Sequence, residues 1–107
     1  MLAYKDWRIK EITGYEPKTT FYMDFSIADK FGAYAIKDTY KRAFQAWKDN
    51  TEYITELAMV LNWKSWEHNA NNPALCGLYV DLYYELRDWC IDNLTGDDLT
   101  YFYNTTD

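Results

Sequence analysis

The stretch from Asn71 to Asn93 constrains the fold more than any other part of the chain. Asn71, Asn72 and Pro73 form a turn signal. After it, Leu75, Leu78, Tyr79, Leu82, Leu86, Trp89 and Cys90 fall within one broad stripe at about 100° per residue. Asn72 suits an N-cap, and Pro73 suits the first helical position, where its missing N–H leaves no bond unmade. A helix over 73–93 with so wide an apolar stripe must bury it against other elements, and the preceding sequence supplies them. From Glu52 to Ala70, Tyr53, Leu57, Val60 and Leu61 share one side of a helix and Met59, Trp63, Trp66 and Ala70 another. The remaining face holds Ala58, Asn62, Ser65 and Asn69, so little charge is presented, and such a helix is usually central. From Ala33 to Asp49, Ile36, Tyr40, Ala43, Phe44 and Trp47 recur at helical spacing beside a basic edge of Lys37, Lys41 and Lys48. Asn50 and Thr51 are poor helix-interior residues and good caps, which favours a break there, although a continuous helix is the alternative. The expected fold is all-α, a compact bundle of five or six helices, with 52–70 and 73–93 as an antiparallel pair.

The flanks are less regular. Leu2 to Thr13 reads as a helix through Tyr4, Trp7 and Ile12, yet Trp7, Ile9 and Glu11 also alternate as a short strand would. Gly14 ends that segment, and residues 14–20, with Pro17, are expected to form a loop. Ser26 and Asp29 resemble a capping box that starts a short helix from Ile27 to Phe31, ended by Gly32. Near the far end, Thr95 with Asp98 forms a second capping box, and Leu94 is placed to pack on Leu99. Tyr101, Phe102 and Tyr103 should dock on the core, and residues 104–107 should fray.

A chain of 107 residues is expected to make a single domain. Its core must be ring-rich, because 11 Tyr, 5 Phe and 5 Trp supply much of the 49% apolar share. No run approaches the ~20 apolar residues of a membrane span, and residues 1–10 lack the apolar centre of a signal peptide, so a cytoplasmic location is expected. Cys76 and Cys90 belong to one helix, about 21 Å apart at about 1.5 Å per residue, which is too far for a disulfide. Both read as core thiols. The net charge of −6 argues against direct binding to nucleic-acid phosphates and for basic partners.

Chemistry-bearing groups are sparse. The single histidine, His68, has Lys64, Leu61 and Asn72 as helical neighbours and reads as structural, since one His and two distant Cys do not suggest a zinc site. A Cys76–His68 nucleophilic pair has no local support. Gly14, Gly32, Gly77 and Gly96 are too scattered to cradle phosphate. Asp97 and Asp98 are explained by the positive end of a helix dipole. No cofactor, metal ligand set or catalytic residue is assigned. One pattern asks for more: Asp81, Glu85, Asp88 and Asp92, spaced 4, 3 and 4, place four carboxylates within about 60° of one helix face. Each like-charged pair costs a few tenths of a kcal/mol in an isolated helix. The line is a solvated face, or it opposes Lys37, Lys41 and Lys48 within the chain or across a homodimer, or it is a binding surface for a basic partner.

The strings FYMDFSIADKFG from Phe21, DTYKRAFQAWKDN from Asp38, TELAMVLNWKSWEH from Thr55 and LTYFYNTTD from Leu99 carry a resemblance. Together they cover about half of the chain, and it resembles small uncharacterised helical proteins encoded by bacteriophages and prophages of gut bacteria. That likeness implies a genetic setting and no site residues. By analogy, small acidic phage proteins without catalytic groups often bind a host protein. The expectation is therefore a non-enzymatic binding protein, most specifically an inhibitor of a host nucleic-acid-dependent defence enzyme of the anti-CRISPR or anti-restriction kind. Its partner-binding residues would be Asp81, Glu85, Asp88 and Asp92, set against a basic surface of a host or phage protein. The alternative is a structural or regulatory accessory protein acting through homodimerisation or an aromatic interface that includes Val80, Tyr84 and Ile91. An enzyme built on His68 or on Asp97 and Asp98 is a third class.

Overall fold

A computed structural model describes residues 17–106 of the chain. These form five helices and no strand: α1 (Pro17–Asp29), α2 (Ala33–Trp47), α3 (Thr51–His68), α4 (Pro73–Asn93) and α5 (Gly96–Thr106). The choice between helix and strand for residues 2–13 lies outside the described residues.

Helix α3 touches all four of the others, most extensively α4. Its central position follows from its side chains: Tyr53, Ile54, Leu57, Ala58, Val60 and Leu61 are all buried, on more than one side of the helix. Helix α4 buries Tyr79, Leu82, Leu86 and Cys90, and packs Leu75, Leu78 and Trp89 against the same core, as its periodicity requires. Three aromatic pairs that join helices meet edge to face, a favourable arrangement for ring quadrupoles. Phe44 of α2 meets Trp89 of α4 at 5.0 Å, Trp47 meets Tyr53 at 5.2 Å, and Phe25 of α1 meets Tyr79 at 5.7 Å.

Both Asn caps form. The Asn50 side chain accepts from the Tyr53 amide at 3.0 Å and breaks the chain between α2 and α3. Asn72 accepts from the Leu75 amide at 3.2 Å, with Pro73 in the first turn of α4.

Three boundaries differ from the sequence reading. The loop expected over 14–20 is helix from Pro17 onward, residues 14–16 lying outside the described part. Proline's fixed φ suits the first turn of a helix, so Pro17 opens α1 instead of interrupting it. The burial of Phe21, Phe25 and Ala28 on one face outweighs the weak propensity of Thr19 and Thr20. Consequently Ser26 and Asp29 are not a capping box before a short helix. They lie in the last part of α1, and their side chains face α3. The chain then turns at Gly32, whose φ of 102° is open to glycine and strained for other residues. At the other end, residues 104–106, expected to fray, continue α5. Phe102 is fully buried, and Thr106 Oγ1 donates back to the Phe102 carbonyl at 2.8 Å. Residue 107 lies outside the described part.

Candidate functional site

Asp81, Glu85, Asp88 and Asp92 are all exposed, on the side of α4 away from Tyr79, Leu82, Leu86 and Cys90. The core therefore holds the helix that carries them. The carboxylate of Glu85 lies close enough to the hydroxyl of Tyr40 in α2 to act on it electrostatically. Burial pushes the Tyr40 hydroxyl above its ordinary range, and the neighbouring Glu85 charge pushes it further. Helix α2 turns Tyr40 and Phe44 toward the core, not its lysines. Among the described residues no ion pair joins Lys37, Lys41 or Lys48 to the acidic line, so the two stripes do not neutralise each other within the chain. The ion pair on α2 itself is Asp38 with Arg42, at 2.8 Å.

A second constellation was not identified from the sequence. Lys64 of α3 is 1% exposed, and its ammonium has three donors. They meet Asp29 Oδ2 at 2.7 Å, Ser26 Oγ at 3.1 Å, and Glu67. Tyr22 donates its hydroxyl to the other oxygen of Glu67 and lays its ring 4.8 Å from the ammonium. Asp29 is shared further. It bonds His68 Nε2 at 2.9 Å and accepts the Tyr79 hydroxyl at 2.5 Å, while the His68 and Tyr79 rings stack at 5.7 Å. A carboxylate at the C-terminal end of α1 meets the unfavourable end of the helix dipole, and these three donors offset that cost.

The electrostatics agree with this geometry. For Asp29, burial favours the neutral form, but hydrogen bonds from Lys64, Tyr79 and His68 outweigh it and hold the carboxyl below its ordinary range. Glu67 is likewise desolvated, yet Lys64 and Tyr22 hold it low. Burial opposes the charge on Lys64, and Asp29 and Glu67 raise its basicity in spite of it. Burial and the Asp29 charge keep Tyr79 protonated far into the alkaline range.

Asp29, Glu67 and His68 each offer a ligand atom within 4.8 Å of the others, the one group of that kind among the described residues. The two carboxylates meet the ammonium of Lys64, and His68 bonds Asp29. The cation that the two carboxylates face is thus supplied by the chain itself, and the cluster ties α1, α3 and α4 together. A local signal for it existed: Leu57, Leu61, Lys64 and His68 are spaced 4, 3 and 4, so Lys64 and His68 continue a buried stripe. A buried Lys implies an acidic partner, but not which one.

The other candidates stand apart. His68 Nε2 is engaged by Asp29, and Cys76 Sγ lies 3.9 Å from Asn69, so no Cys–His pair is assembled. Cys90 is fully buried, and burial pushes its thiol up to about 12. Asp97 and Asp98 occupy the exposed first turn of α5, where the helix dipole accounts for them. No protein family, curated protein or solved structure matches the chain. Among the described residues, no helix is long and apolar enough to cross a membrane.

Proposed function

We propose that the chain is a non-enzymatic, phage-encoded binding protein that occludes a basic surface of a host nucleic-acid-dependent defence enzyme through Asp81, Glu85, Asp88 and Asp92. The observation that carries this reading is that all four carboxylates are exposed on one face of a core-anchored helix, with no cation of the described chain set against them. A rigid row of negative charge offers a basic groove a substitute for phosphates, and the net charge of −6 adds long-range attraction. The clustered polar side chains are consumed in holding helices together, which also favours binding over catalysis.

The test is affinity capture from a prophage-bearing host at low and high salt, with the wild-type chain and a variant carrying D81N, E85Q, D88N and D92N. A basic partner held at low salt, released at high salt and lost in the variant is the expected result. Capture by the variant with unchanged salt dependence would overturn the reading.

A second reading, homodimerisation or an aromatic protein–protein interface, is favoured by exposed rings on α3 and α4. Trp66 is 70% exposed and Tyr84 54%, and Val80 and Ile91 are half-buried on the same side of α4 as Tyr84. Light scattering separates the two: a stable dimer supports the second reading, a monomer the first.

A further inference from the structure

The cluster around Lys64 holds more negative charge than its own ammonium balances. Asp29 and Glu67 bring two negative charges against one positive charge, so with neutral His68 the group is one negative charge in excess. Among the described residues no other Lys or Arg pairs with either carboxylate. The side chains of Asp29 and His68 are only 15% and 16% exposed, so part of that excess is withdrawn from water, where an unbalanced charge is costly.

The ligand atoms are also held in place. Tyr79 donates to Asp29 Oδ1 at 2.5 Å and Tyr22 donates to Glu67 Oε1, which leaves Oδ2 and Oε2 as the atoms turned to the cation. His68 Nε2 lies 2.9 Å from that Asp29 oxygen and 3.8 Å from that Glu67 oxygen, and its ring is steadied by the stack on Tyr79. Hydrogen bonds to the far atom of each ligand are the supports that orient metal-binding side chains. An ion about 2.0–2.2 Å from three ligand atoms keeps them about 3.3–3.6 Å apart in tetrahedral geometry. No separation within this set exceeds 4.8 Å, so shifts of about 1 Å close it. Lys64 has somewhere to go: its ammonium also meets Ser26 Oγ at 3.1 Å and lies 4.8 Å from the centre of the Tyr22 ring. Glu67, 40% exposed, opens the site to solvent.

We infer that Asp29, Glu67 and His68 form a three-ligand site for a divalent transition metal of the zinc class, whose ion competes with the Lys64 ammonium for the two carboxylates. One imidazole with two carboxylates suits such ions, whereas Ca²⁺ and Mg²⁺ take oxygen ligands. The ion binds Nε2 of the imidazole that carries its proton on Nδ1, exchanging the hydrogen bond to Asp29 for a metal bond, and water completes its shell. Asp29 belongs to α1 and the other two ligands to α3, so the ion clamps those helices together. The site is separate from the acidic line of α4 and does not rest on the preceding proposal.

The probe is zinc chloride added to the full ¹⁵N-labelled chain after treatment with a chelator, followed by calorimetry, melting temperature and the imidazole nitrogen resonances of His68. The expected result is one ion per chain, a raised melting temperature and a displaced Nε2 resonance, with no such response to magnesium or calcium chloride. His68→Phe keeps a ring beside Tyr79 and should weaken binding at least tenfold. Lys64→Met removes the competing ammonium and should tighten binding, and zinc should return part of the melting temperature which that substitution loses. The variant with all four α4 carboxylates neutralised, and Cys76→Ser, should bind as the wild type does. An unmoved Nε2 resonance in the wild type, binding that survives His68→Phe, or loss of binding in the α4 or Cys76 variant would overturn the inference. So would an equal response to magnesium, or binding no tighter in folded Lys64→Met.

Discussion

Replacing Lys64 by Met would keep most of its volume and leave Asp29 and Glu67 facing each other without their cation. Removing one partner from a buried ionic cluster costs about 3 kcal/mol or more. We expect Lys64→Met to lower the unfolding free energy by about that much in urea titrations; an effect under about 1 kcal/mol would mean that the cluster contributes little. The same groups set the pH limits of stability. Asp29 and Glu67 are held below their ordinary range, so the unfolded chain binds protons first as pH falls past about 4. Their contribution is whole above that and is lost as pH drops through the folded values. Lys64 and Tyr79 are held high, so their contributions are whole below about pH 10 and are lost as pH rises through the folded values. Melting temperatures measured against pH should therefore fall at both ends, and Asp29→Asn should flatten the acid limb. An acid limb identical in the two proteins would count against this assignment. The two thiols should also separate. Cys76 is half-buried, while Cys90 is buried with its thiol pushed up to about 12. An aromatic disulfide reagent should label one thiol in the native protein and the second only on unfolding.

At the scale of the element, the caps and turns carry energies that packing cannot replace. Asn72→Ala removes the acceptor for the Leu75 amide and should cost about 1 kcal/mol, measured by chemical denaturation. Helix α1 shows how an element can be misread. Pro17 was a correct sign of a boundary, but proline fits both the end of a loop and the start of a helix, and local propensity does not choose between them. What decided it was the burial of Phe21, Phe25 and Ala28 against the rest of the bundle. Helices α3 and α4 were legible to within about two residues because their apolar stripes are long, Asn-capped and, for α4, opened by a proline.

For the whole molecule, the acidic line and the core make separate demands. Neutralising Asp81, Glu85, Asp88 and Asp92 relieves like-charge repulsion and replaces no buried side chain. The melting temperature of that variant should stay level or rise slightly, and a clear fall would show that the line stabilises the fold. The sequence by itself determined the helical class, the pair α3 and α4 with its turn, the core stripe of α4 and the alignment of the four carboxylates on one helix face. All of these follow from periodicity and capping, which act over a few residues. Only the tertiary structure decided that Asp29 meets His68 and Tyr79, 39 and 50 positions away. It also decided that the lysines of α2 do not oppose the acidic line. A helical period says which residues share a face, but which faces meet, and at what height along each helix, depends on the packing of all five helices together.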